Sequence, residues 1–157
     1  MSFFDGGTLQ IFGQLALAVF LGALIGLERE YQGKSAGLRT YSLVALGSCL
    51  FTVISTSGFD AFAGLASYDP TRIAAQVVVG IGFIGGGLIF LKGDIVYGLT
   101  TAAGLWTSAA LGVAVGVRFY AAAMFTALLA LVILIVLKEL EQYIHRDRPD
   151  GAHHDLT

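Results

Sequence analysis

The groups best placed for chemistry are few, and they sit at the ends of apolar runs. Glu28 and Arg29 close the first run, Arg39 opens the second, and Lys92 and Asp94 lie in the third connection. Ionisable groups at such margins pair with one another or reach for water. A Glu28 to Arg39 pair closing a helical hairpin is the simplest expectation. At the other margin Arg72 and Gln76 stand one turn apart on one face, which aims the Gln76 amide into an apolar run and calls for a partner on another helix. Thr100, Thr101 and Trp106 are expected to line the space between helices. Candidate oxygen ligands for a metal are Glu28, Asp94 and Asp69. Asp69-Pro70, however, reads first as a helix start, since Asp accepts from free first-turn amides and Pro has no amide to lose there. His153, His154 and Asp155 bring three possible ligands to the tail but read more simply as a solvated, frayed end.

Two nucleotide-like patterns carry no such chemistry. Gly80-Ile-Gly-Phe-Ile-Gly85 satisfies the dinucleotide fingerprint, but it lies within an apolar run and has Thr100 where an acidic residue is required. Gly33-Lys34-Ser35 resembles the end of a phosphate loop, yet Glu28 occupies the position of its earlier glycine. All three histidines fall near the C-terminus, so no Ser-His-Asp, Cys-His or paired-His arrangement can be assembled. The expectation is a protein that is not an enzyme.

The elements that must position these groups follow from the charge distribution. Of 157 residues, 56% are apolar and 13% charged, with mean hydropathy +0.79; an ordinary soluble domain has about 25% charged residues. No charge occurs in 8–27, 40–59, 73–91, 99–117 or 119–137. As helix, each run approaches the ~30 Å of a bilayer core. Continuous apolarity favours helices over the alternating strands of a barrel. The expected fold is an all-α membrane protein of five spans, 1–137, with 138–157 a cytoplasmic helical extension and tail. Seven of nine basic residues fall on one side, and only Arg72 and Arg118 on the other, which puts the N-terminus outside and the C-terminus in the cytoplasm. The first run is expected to be retained, because no basic residue precedes it. A net charge of −2 argues against a nucleic-acid partner, and the lone Cys49 allows no internal disulfide.

Glycine is the other signal, at 21 residues, about twice the usual share. Small residues recur every fourth position at Ala18, Gly22 and Gly26; at Gly82 and Gly86; and at Thr100, Gly104, Ser108, Gly112 and Gly116. That spacing lets backbones approach closely in lipid. The stripes serve either packing within one chain or a dimer interface, and spacing alone does not separate the two.

Taken in order, Gly22-Ala-Leu-Ile-Gly-Leu-Glu-Arg29, Ala36-Gly-Leu-Arg-Thr40, Arg72-Ile-Ala-Ala-Gln76 running into Gly80-Ile-Gly-Phe-Ile-Gly85, and Gly98-Leu-Thr-Thr-Ala-Ala103 followed by Leu105-Trp106 resemble the MgtC/SapB family of bacterial inner-membrane proteins. The resemblance implies a five-helix membrane domain, here in a short form without the soluble cytoplasmic domain that often follows it. It also implies a link to magnesium homeostasis, growth under magnesium limitation and virulence. Members of the family are discussed as magnesium transport proteins and as regulators of other membrane proteins, the proton-translocating ATP synthase among them.

Magnesium asks for octahedral oxygen coordination and sheds water reluctantly, so a conducting path needs carboxylates or a wide hydrated pore. The charge-free runs offer neither. The expected function is therefore regulatory, through membrane partners and as a homodimer in the inner membrane, with an oligomeric Mg2+ transporter or channel as the alternative. Glu28, Arg29 and Arg39 would form the cytoplasmic polar site and Arg72 and Gln76 the outer one.

Overall fold

The computed structural model describes residues 6–57, 69 and 72–146; the tail ligands His153, His154 and Asp155, and Pro70, lie outside them. Helix α1 spans Gly6–Tyr31, α2 Leu38–Ser57 and α3 Arg72–Gly87. Strands β1 (Phe90–Lys92) and β2 (Ile95–Tyr97) form an antiparallel hairpin. Helix α4 spans Leu99–Gly116 and α5 Tyr120–Val132; a single π-helical turn, Ile133–Leu137, joins α5 to α6, Lys138–Arg146.

The architecture is the all-α membrane fold expected, with four helices among the described residues long and apolar enough to cross a bilayer. The third run departs from expectation. It is helical only over Arg72–Gly87, about 24 Å of rise against a core of about 30 Å. The helix closes at Gly85-Gly86-Gly87, where the amides of Leu88 and Ile89 turn back to the carbonyls of Gly85 and Gly86. The chain then doubles on itself with Phe90 opposite Tyr97 and Lys92 opposite Ile95. Gly93 makes the turn at φ 63°, a left-handed value glycine takes without strain. Gly98 (φ 89°) leads the chain into α4, and a Cβ there would collide with the Leu88 carbonyl. The Asp69 carbonyl accepts from the Arg72 amide, a main-chain bond that ties Asp69 to the first residue of α3.

Helix α2 is the axis of the bundle, packed on α1, α4 and α3. Its closeness to α1 and α4 rests on the small-residue stripes. A Cβ on Gly22 would meet the Tyr41 carbonyl and Ala45, and one on Gly26 would meet the Leu38 backbone. Gly104 lies against the Tyr41 ring, Gly112 against the Ala45 carbonyl and Ser48, and Gly116 against Thr52. These stripes therefore pack within one chain. Gly82 and Gly86 differ: nothing stands within 4 Å of where a Cβ would be. Large apolar side chains such as Phe20, Phe83 and Phe125 are exposed on the outside, the natural arrangement where the solvent is lipid.

Polar side chains inside the bundle tie helices through main-chain oxygens. Ser108 Oγ donates to the Tyr41 carbonyl (2.9 Å), and the Tyr41 hydroxyl donates to that of Thr101 (3.1 Å). Gln14, 3% exposed, donates from Nε2 to the carbonyls of Val115 (2.8 Å) and Gly116 (2.9 Å). The end of α4 is thus satisfied by a side chain from α1. Gln14→Leu should lower stability by about 1–3 kcal/mol, read as a fall in the thermal midpoint in detergent. An unchanged midpoint would mean that those carbonyls find other donors.

Candidate functional site

Helix α1 ends in a turn that fixes its last charged side chains. The Lys34 amide returns to the Arg29 carbonyl (3.0 Å) and the Gly33 amide to that of Glu30 (2.9 Å), with Gly33 at φ 63°. This pattern terminates a helix and requires a left-handed residue. Gly33 of the phosphate-loop-like Gly33-Lys34-Ser35 is therefore a helix stop. Three residues before the stop, Glu30 crosses to the start of α2, where its Oε2 accepts from the Leu38 amide at 3.0 Å. Gly37 leaves room for that carboxylate.

Glu28 faces elsewhere. Its carboxylate accepts from Arg29 Nε (2.6 Å, Oε2) and Nη2 (3.0 Å, Oε1). The two side chains are 8% and 3% exposed, the one ion pair among the described residues. The expected Glu28 to Arg39 pair does not form: the forked geometry of neighbouring Arg29 satisfies both carboxylate oxygens, and Arg39 stays exposed.

Arg29 opens onto a cavity of about 670 Å³ at this end of the bundle, shared with Lys34, Ser35, Thr100, Thr101 and Lys138. The hairpin supplies one wall and the π-helical turn another. Lys138 Nζ donates to Gln32 Oε1, tying the end of the last span to the end of the first. π-helical turns recur at functional sites because they reposition side chains within an otherwise regular helix.

Of the residues singled out in the sequence, Glu28, Arg29, Thr100 and Thr101 come together here. The others do not join them. Asp94 is exposed on the hairpin turn, and Arg72 is exposed at the other end of the bundle. Gln76 borders a separate, mostly apolar cleft of about 560 Å³ between α2 and α3, which includes Thr40 and Ser48. Trp106 points outward, 54% exposed, rather than lining an interhelical space. Among the described residues no group of three His, Cys, Asp or Glu side chains gathers, so Glu28, Asp94 and Asp69 do not meet. Lys34 and Lys138 were visible in the sequence only as topogenic charges, and Gln14, Gln32, Glu30 and Tyr41 gave no recognised signal beyond being polar in or beside an apolar run.

The sequence model of the MgtC family matches residues 15–143, which takes in every element that builds this cavity. The chain belongs to the MgtC family. It is 42% identical over 135 residues to the "Putative magnesium transporter YhiD" of Escherichia coli K12, covering 85% of this chain and 63% of that protein. It is 45% identical over 132 residues to "Protein MgtC" of Brucella abortus, covering 83% of this chain and 52% of that one. An uncharacterized protein of Haemophilus influenzae is 38% identical over 147 residues, covering 91% of this chain and 62% of the relative. The chain thus spans between about half and two thirds of the length of these curated relatives. No solved structure matches.

Proposed function

We propose that this MgtC-family protein serves adaptation to low magnesium in the bacterial inner membrane by binding and regulating membrane partners, without catalysing a reaction and without conducting the ion itself. The observation that carries this reading is the charge of the cavity. Among the described residues its ionic lining is Arg29, Lys34 and Lys138, all cations, and the adjacent carboxylate of Glu28 is held in both oxygens by Arg29. A cation path at this mouth would need oxygen ligands bearing negative charge; this mouth repels Mg2+. The basic end of the bundle is assigned to the cytoplasm by the positive-inside rule, with five spans and the N-terminus outside. The open glycine face of α3 is where a second copy would pack, giving a homodimer. Other membrane proteins, the ATP synthase among them, are the partners the regulatory reading implies.

The transport reading has one observation in its favour, the name "Putative magnesium transporter" carried by the Escherichia coli relative. One experiment separates them. Liposomes containing only the purified chain should show no saturable magnesium uptake. In cells lacking the protein, the same chain should restore growth at low magnesium, and a crosslinker placed at Gly82 should capture a second copy or another membrane protein. Uptake abolished by Glu28→Gln or Asp94→Asn would instead establish an oligomeric Mg2+ transporter.

A further inference from the structure

The cavity beneath the hairpin is chemically mixed. It is lined by Arg29, Lys34 and Lys138 with the hydroxyls of Ser35 and Thr100, and among the described residues no carboxylate lines it. Glu28 neutralises one of the three positive charges. Lys138 is bonded to the neutral amide of Gln32, and the Glu30 carboxylate is engaged at the Leu38 amide. Glu139 and Asp94 are exposed outside the lining. Among the described residues, about two positive charges therefore remain without an anion. The guanidinium of Arg29 is nearly buried, and two of its five donors go to Glu28. The first turn of α4 begins at the same wall, and Gly98 provides no side-chain cap for its amides. Much of the remaining lining is apolar: Phe90 of the hairpin wall, and Leu134 and Leu137 of the π-helical wall.

Volume and position narrow the occupant. A cavity of about 670 Å³ is in the range that encloses whole small ligands and is far larger than a single phosphate. It sits where the charge-free runs end, at the depth of lipid headgroups. Cations and hydroxyls beside an apolar wall suit a phosphate with a hydrocarbon substituent: the phosphate accepts from the basic side chains while the hydrocarbon covers Phe90 and Leu134.

We propose that this cavity binds a phosphate-bearing anion, with an anionic phospholipid as the occupant its apolar wall favours. The proposal names a ligand class for the site on which the regulatory reading rests.

Native mass spectrometry of the full chain in detergent tests it directly. The probes are phosphatidylglycerol, zwitterionic phosphatidylcholine and inorganic phosphate, each against wild type and the Lys34→Gln/Lys138→Gln variant, whose substitutions leave the Glu28–Arg29 pair intact. The expected result is phosphatidylglycerol retained over phosphatidylcholine, weakened on the order of twentyfold in the variant, at about fivefold for each lysine. Inorganic phosphate binding with the same lysine dependence, and phosphatidylglycerol no better, supports the phosphate site and makes the free ion its source. Equal retention of phosphatidylglycerol by both chains, or no retention of either phosphate compound, overturns the proposal. Growth of the complemented strain at low magnesium keeps the two readings apart. Rescue without lipid or phosphate binding removes the ligand and leaves the regulator; binding without rescue does the reverse.

Discussion

A chain carrying Glu28→Ala should insert into the membrane normally, melt earlier in detergent and fail to restore growth at low magnesium. Insertion is governed by the apolar runs, which the substitution does not touch. Stability falls because Arg29, 3% exposed at its side chain, loses the carboxylate that satisfies two of its donors. Breaking a buried pair from one side costs about 3–5 kcal/mol, with the lower end expected here because water in the adjoining cavity can hydrate the guanidinium. Removing both partners is far less damaging to a fold, so Glu28→Gln/Arg29→Met should recover most of the thermal midpoint. If the pair serves only to hold the bundle, that double variant also regains growth. If Arg29 acts at the cavity, stability returns and growth does not, which is the outcome expected here.

The second large effect concerns the approach of α2 to α4. Gly112→Val would drive side-chain carbon into the Ala45 carbonyl and the Cys49 amide, and backbone cannot step aside as a flexible side chain can. Overpacking costs about 1–3 kcal/mol per site where repacking is possible; at this crossing the upper end or more is expected, and the Ser108 bond to Tyr41 should be lost with it. Gly82→Val on α3 meets open space within the chain and, in detergent that holds the chain as a monomer, should change stability by no more than about 0.5 kcal/mol. Thermal unfolding of the two variants side by side in detergent checks the contrast. Equal midpoints would show that the glycine stripe of α4 is not what brings these helices together.

Much of the architecture was legible because one physical quantity dominates it. Charge is so costly in hydrocarbon that its absence over 8–27, 40–59, 99–117 and 119–137 marks the long helices. The same quantity misread the third run. Residues 88–91 are as apolar as a span, and apolarity alone does not distinguish strand from helix. The signals that decide were local: Gly85-Gly86-Gly87 ending the helix and Gly93 permitting a tight turn. The stripes of α1 and α4 were visible as spacing, but only coordinates could show that Tyr41, Ala45 and Thr52 fill them from the same chain.

The polar end illustrates a different limit. Glu28 and Glu30 are two positions apart on α1 and so face different sides of it. It is Glu30 that reaches the start of α2, which leaves Glu28 to its neighbour. Which of two acids crosses a connection depends on where the helix stops, and that is set by Gly33. Lys34 and Lys138 are 104 positions apart in sequence and share a wall only because the first and last spans end side by side. No local pattern could bring them together.

The wide turn at Ile133–Leu137 fixes the phase of everything after it. By taking up surplus chain within a single loop of the coil, it leaves the emerging helix out of step with the one inside the lipid by close to one residue's rotation. Lys138, the first residue after it, leans toward Gln32. The compass bearing of the exit helix, and of anything attached beyond it, is thus decided by five aliphatic residues that carry no charge at all.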